Sequence, residues 1–278
     1  MPVRIILGAL LCAALLGACK TGNMVDSLGD AATFATTLNT STERQRELGD
    51  AAAGELVAQH LHSDDRAFEA YLNTIAVKLA RAAGAKDYTY RLYLLDDAQV
   101  NAFTPGGGHI FVTTGLVRAL KTEAQMAAVI AHEIGHITES HVVRGIRNKK
   151  GAQVAAKLGV EAAGLKSAVA RAVYDYSISA AINGHGRTFE IEADRLGLDT
   201  MVKAGYDPQA APQVFEVLRR LYGDRSELAN FFHGDHPTNQ QRIRALTAQI
   251  AERYGGVDRS GLIRDTAAYR RFKARYPN

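Results

Sequence analysis

Thr122-Glu123-Ala124-Gln125-Met126-Ala127-Ala128-Val129-Ile130-Ala131-His132-Glu133-Ile134-Gly135-His136-Ile137 is the stretch on which the fold turns. Thr122 followed three residues later by Gln125 has the form of a capping box, in which each side chain satisfies a backbone donor at a helix start. Behind it, Met126, Ala127, Val129, Ile130, Ala131, Ile134 and Ile137 leave little polar face, so a buried helix is expected over 122–144. His132 and His136 stand at i and i+4, so both imidazoles leave one side of that helix and can share one ion. Neutral imidazole nitrogens at about 2.0–2.1 Å suit Zn²⁺. Glu133 is badly placed to be a third ligand, but it reaches the position that a water takes beside such an ion. The plain alternative is a charged, solvated helix face. The apolar neighbours disfavour it, because His and Glu in such a setting are costly without a metal or partners.

A catalytic zinc keeps three protein ligands and one open position. A third His of the metzincin kind, ten residues after His132, would fall on Val142. His141 is one residue short and is expected to be a surface or core histidine pointing elsewhere. Glu161 lies far past His136, within an Ala-rich stretch. Glu190-Ile191-Glu192-Ala193-Asp194 opens a helix expected over 188–204, just after the breaker run Asn183-Gly184-His185-Gly186. Glu190 and Asp194 are again i and i+4. Glu190 is the third candidate and can ligate zinc, while Asp194 can reach a ligand histidine as the acceptor that fixes its tautomer. Glu192 falls on another side of that helix and reads as a surface charge.

The chain around these motifs has 278 residues, 47% of them hydrophobic and 22% charged, with a net charge of +4. That composition belongs to a globular protein, and the basic excess is too small to imply nucleic-acid binding. The two cysteines exclude a disulfide framework and a Cys₄ or Cys₂His₂ zinc module. Arg4 precedes an apolar run from Ile5 to Leu16, too short to span a membrane and built like a secretory signal. Leu16-Gly17-Ala18-Cys19 resembles the lipobox of bacterial lipoproteins. It implies a signal peptide over 1–18, cleavage before Cys19 and a lipidated Cys19. Lys20, in place of the Asp that retains lipoproteins in the inner membrane, implies the outer membrane. Residues 19–42 read as the lipidated N-terminus and its tether, 43–255 as one domain and 256–278 as a C-terminal tail with a solvated basic helix.

Within the domain, helices are expected over 43–61, 64–83, 208–222 and 237–254, besides an Ala-rich helical stretch over 152–181 whose charges rule out a membrane span. Tyr88 to Leu95 alternates as a strand, Asn101 to Gly108 reads as a turn and Ile110 to Thr114 as a second strand. That second strand could offer its edge to an extended peptide. Tyr174 and Tyr176 are expected to pack rather than face a cleft. The fold class is α+β, predominantly helical, with a small sheet.

His132-Glu133-Ile134-Gly135-His136 followed by Glu190-Ile191-Glu192-Ala193-Asp194 resembles the paired signatures of the zinc metalloprotease family that contains the CAAX prenyl endopeptidases and HtpX-type proteases. With the lipobox, the chain looks like that family's periplasmic lipoprotein branch, the BepA-like and LoiP-like enzymes. Asn101-Ala102-Phe103, Ile110 to Leu116, and His236-Pro237 followed by Arg242-Ile243 match that branch as well. Gly186-Arg187 departs from it, standing where many members have Ser-Arg. No tetratricopeptide-type repeat is found, so a repeat-built docking domain is not expected. The resemblance implies a zincin-type (gluzincin) metallopeptidase domain holding one Zn²⁺ through His132, His136 and Glu190, with Glu133 as the catalytic base.

His236 and Arg242 are the candidate donors to the tetrahedral oxyanion. Alternatives stay open for both: His236 as a loop histidine, or as a group that approaches the zinc and holds the enzyme inactive, and Arg242 as a structural residue. The implied function is hydrolysis of misfolded or stalled envelope proteins from a lipid anchor facing the periplasm. The alternative is a chaperone or assembly factor for outer-membrane proteins, non-catalytic or dual-role.

Overall fold

A computed structural model describes residues 41–148, 165–183, 185–223 and 238–277. The signal segment, Cys19, most of the tether, Glu161 and His236 lie outside them. Helices α1 (Thr42–Gln59) and α2 (Arg66–Ala82) lead into strands β1 (Arg91–Leu95), β2 (Ala102–Gly106) and β3 (His109–Thr113). Then come α3 (Thr114–Ala119), α4 (Glu123–Thr138), α5 (His141–Asn148), α6 (Leu165–Asn183), α7 (Arg187–Lys203), α8 (Ala210–Tyr222), α9 (Asn239–Tyr254) and α10 (Ala267–Lys273).

The sheet has the order β1-β3-β2, with β1 parallel and β2 antiparallel to β3. Successive strand residues face opposite sides, and here both sides are buried. Leu92, Leu94, Ile110 and Val112 join the larger core with α2 and α4. Tyr93, Leu95, Phe103 and Phe111 join a second core with α1, α5 and α6. Phe111 sits between Tyr93 and Phe103, with ring centroids 4.8 and 5.1 Å away.

The free side of β1 is closed by α2. Asn73 Oδ1 accepts from the Leu92 amide and Glu69 Oε2 from the Leu94 amide, each at 2.8 Å. β3 is therefore the central strand, and the expectation that it offers an edge to a peptide is corrected. The segment expected as a turn over 101–108 supplies β2. Its Ala102 and Phe103 pair with Val112 and Phe111, and the register slips between Phe103 and Gly106. Pro105 in that gap has no N–H to add to a ladder. Gly107 closes the hairpin at φ 67° and touches α1: a Cβ on Gly49 would lie 2.6 Å from its Cα.

α4 opens with the capping box read from Thr122 and Gln125. It ends at Thr138 rather than continuing to Arg144, because Ser140 takes φ 53° and turns the chain into α5. At the other end, the segment set apart as a tail packs into the domain. The Ala124 amide donates to Arg264 O at 3.0 Å, and the Glu123 amide to Asp265 Oδ1 at 3.3 Å. Tyr269 and Tyr276 are buried in the larger core and Phe272 packs against it. Tyr269 and Phe272 stand three residues apart on one face of α10, with Arg270 and Arg271 outward, and Tyr276 follows the helix end.

Candidate active site

α4 and α7 cross at unusually short range, and small residues permit it. A Cβ on Gly135 would lie 3.1 Å from Ala193 Cα, and one on Gly197 would lie 3.1 Å from the His132 backbone nitrogen. This close approach carries Glu190 and Asp194 to the histidines of α4. Gly135→Val is expected to force the helices apart, at about 1–3 kcal/mol for an overpacked core. Thermal unfolding should then fall by several degrees. An unchanged melting temperature would show that the crossing tolerates the side chain.

His132 Nε2 and His136 Nε2 lie 2.9 Å apart, with Glu190 Oε2 3.4 Å from the first and Glu190 Oε1 3.8 Å from the second. All three residues offer donor atoms within 4.8 Å of one another. Two imidazole nitrogens facing each other at that range need a proton or a cation between them, and two imidazoles with a carboxylate form a donor set that suits zinc. The residues present therefore fit a metal. On its other side Glu190 is anchored by the backbone: the His185 amide donates to its Oε1 at 3.0 Å.

Arg242 of α9 holds the carboxylates in place. Its Nε donates to Asp194 Oδ2 at 2.8 Å, its Nη2 to Asp194 Oδ1 and its Nη1 to Glu190 Oε2 at 3.2 Å. Asp194 Oδ1 lies 3.1 Å from His132 Nδ1. The guanidinium is 2% exposed, and its plane lies over the Phe215 ring, 4.0 Å from the centroid. Arg242 thus reaches the site, but with its donors turned to carboxylates rather than to open space. An oxyanion role is not what this orientation favours. Thr238 and Gln241 set the start of α9 with a second capping box, which places Arg242 in its first turn.

The electrostatics follow from burial and these contacts. Burial raises the Glu133 carboxyl to about 7, against the pull of His132 and Arg242. Burial would lower the His132 imidazole, but hydrogen bonds with Asp194 and Glu190 outweigh it and raise it to about 9. Burial drives His136 well down, helped by His185 and His132. For Glu190 burial is opposed and overcome by His132, His136 and Arg242, which hold the carboxyl well below the usual range. Asp194 is lowered in the same way, chiefly by Arg242.

Two expectations change here. His141 is buried, with Nδ1 2.8 Å from His136 Nδ1 and Nε2 3.0 Å from Glu192 Oε2. Burial lowers its imidazole to about 4, despite Glu192. Glu192 is 28% exposed and accepts from Arg144 Nη1 at 3.1 Å, so it is a paired carboxylate rather than a free surface charge. The i+5 spacing of His136 and His141 gives no contact on a continuous helix, and the turn at Ser140 creates it. Sequence reasoning also passed over His185, whose ring stacks on His136 at 4.1 Å. Tyr176 packs, as expected, with its ring 5.5 Å from His185. Tyr174 faces away and donates to Gln59. Beside Glu133 and His132 opens an apolar pocket lined by Val129, Leu198, Met201, Val214, Phe215 and Leu246.

The model of peptidase family M48 matches residues 66–250, which takes in every element from α2 into α9. The chain belongs to peptidase family M48. Among M48 relatives, the beta-barrel assembly-enhancing protease of Escherichia coli is 24% identical over 221 residues, covering 75% of this chain and 45% of that protein. The metalloprotease LoiP of Escherichia coli is 25% identical over 253 residues, covering 90% of this chain and 98% of its own length. The mitochondrial metalloendopeptidase OMA1 of Arabidopsis thaliana is 32% identical over 168 residues, or 57% of this chain and 31% of that one. The chain spans less than half the length of the beta-barrel assembly-enhancing proteases it matches. The M48 assignment carries a divalent metal with it, and His132, His136 and Glu190 form a group that could hold one. Among the described residues, no helix is long and apolar enough to cross a membrane.

Proposed function

We propose that this chain is a zinc-dependent endopeptidase, lipid-anchored through Cys19 in the outer membrane and facing the periplasm. Its substrates are misfolded or stalled envelope proteins. The observation that carries the chemistry is the buried Glu133 beside the convergent His132, His136 and Glu190. The lipobox supports the anchor, and the name of the beta-barrel assembly-enhancing protease of Escherichia coli supports the substrate class.

His132, His136 and Glu190 would hold the ion, which when bound supplies Lewis acidity to the scissile carbonyl and to a water molecule. Glu133 takes the proton of the attacking water and passes it to the leaving amine nitrogen. Burial raises its carboxyl and so favours the protonated form that hands the proton on, while a bound cation favours the carboxylate that takes it. Asp194 accepts from His132 Nδ1–H and keeps Nε2 free to ligate. Arg242 neutralises the Asp194 and Glu190 carboxylates and fixes their directions. His236 is proposed as the second donor to the oxyanion.

The test is cleavage of unfolded casein by the purified protein, before and after stripping with 1,10-phenanthroline, with metal content measured. One zinc per chain is expected, with cleavage lost on stripping and restored by Zn²⁺. Cleavage that survives complete removal of metal would refute the reading.

A further inference from the structure

The two candidate ligand histidines are supported differently. His132 Nδ1 meets a carboxylate, Asp194, directly. His136 Nδ1 meets another imidazole, His141, and only through it a carboxylate, Glu192. We propose that His141 is a positioning residue for the metal, relaying Glu192 to His136 and fixing the one proton arrangement in which His136 can ligate. The proposal rests on the metallopeptidase reading.

The argument is one of donors and acceptors. His136 Nε2 faces His132 Nε2 at 2.9 Å and Glu190 at 3.8 Å, so Nε2 is the ligating atom. A neutral imidazole that ligates through Nε2 carries its proton on Nδ1. That Nδ1–H must donate, and the atom it meets at 2.8 Å is His141 Nδ1, which must accept. His141 then carries its own proton on Nε2, where it donates to Glu192 Oε2 at 3.0 Å. Glu192 also accepts from Arg144 Nη1 at 3.1 Å, which keeps it an ionised acceptor. With the opposite polarity, His141 would donate to His136 Nδ1. The His136 proton would then sit on Nε2, where an ion has to bind.

Local structure is built to hold this chain. Ser140 at φ 53° swings α5 back beneath α4 and sets His141 as its first residue. The His141 ring lies flat on Phe189, with centroids 4.4 Å apart and planes 12° from parallel. Arg144 lies over the same Phe189 ring, at 4.6 Å. Phe189 immediately precedes Glu190, so one turn of α7 supplies both the third candidate ligand and the platform for the relay.

The test uses the full-length protein and Zn²⁺ alone, titrated against a chromophoric chelator. His141→Phe keeps the volume and the stacking but removes the acceptor. Its zinc affinity is expected to fall about 10–100-fold, the usual loss when a hydrogen-bond partner of a ligand is removed. Metal-free thermal unfolding should change little. His141→Asn presents Oδ1 near the place of Nδ1 and is expected to recover most of the affinity. Wild-type affinity in His141→Phe, or equal losses in both variants, would overturn the proposal. If His141→Phe does not fold, Glu192→Ala on its partly exposed side chain decides: about 10-fold weaker binding supports the relay and unchanged binding refutes it. A wild-type chain that binds no zinc would instead refute the metallopeptidase reading itself.

Discussion

Arg242→Ala is expected to lower the unfolding free energy by about 3–5 kcal/mol, the usual cost of removing one partner of a buried ion pair. The guanidinium is 2% exposed and binds both oxygens of Asp194 and one of Glu190. Its removal leaves the buried Glu190 carboxylate and the part-buried Asp194 carboxylate sharing His132 as their nearest cation. Burial alone pushes such carboxyls up; Arg242 leads in holding Asp194 below its usual value, and for Glu190 it adds to His132 and His136. A depressed carboxyl contributes stability at neutral pH that is lost as pH falls through its folded value. The variant should therefore lose its stability advantage at neutral pH and resemble wild type more closely in acid. Arg242→Lys should recover only part, since one ammonium cannot reproduce the forked contact with Asp194 while also reaching Glu190. Urea unfolding of the metal-free proteins at two pH values reads this directly. A loss under 1 kcal/mol, with a large fall in turnover, would return Arg242 to the oxyanion role that its place in the sequence first suggested.

What could be read from the sequence was whatever depends on helical spacing. His132 with His136, and Glu190 with Asp194, each share a face at i and i+4, and the structure brings the two pairs together. The capping box at Thr122 needs only the type of side chain at two positions, and it is present as read. What was not legible depends on contacts distant in sequence. β2 contains Thr104-Pro105-Gly106, whose composition is that of a turn, and only its partner strand makes it extended. The break at Ser140 carries no Gly or Pro to announce it, so the apolar pattern predicts a helix running on to Arg144 and gives no sign that His141 returns to His136. The role of Arg242 depends on where α9 crosses α7, which no local pattern encodes. Gly135 and Gly197 stood in plain view, but their meaning appears only when Ala193 and the His132 backbone are seen against them.

Glu133→Gln is expected to separate catalysis from stability in the opposite sense to Arg242→Ala. The amide keeps the size and hydrogen-bonding shape of the carboxylate but cannot take a proton from water. General base catalysis by a positioned side chain is worth about 10²–10⁴-fold, so casein cleavage should fall by about 10³-fold, or about 4 kcal/mol of transition-state stabilisation. Zinc content should stay at the wild-type level, because Glu133 is not one of the three converging residues. The fold should be as stable or more so, because burial penalises the ionised Glu133 and a neutral amide escapes that penalty. The base must be ionised to act, so wild-type kcat/KM should fall as pH drops through the Glu133 value. Burial places that value near 7, and a bound cation, favouring the carboxylate, moves the limb to lower pH. The Gln variant should lack the limb altogether. Full cleavage by Glu133→Gln would mean that the base lies elsewhere. Lost cleavage with undiminished support of envelope assembly in cells would move the physiological role from peptide hydrolysis to the binding of unfolded chains, with the same ion and the same carboxylates kept for structure alone.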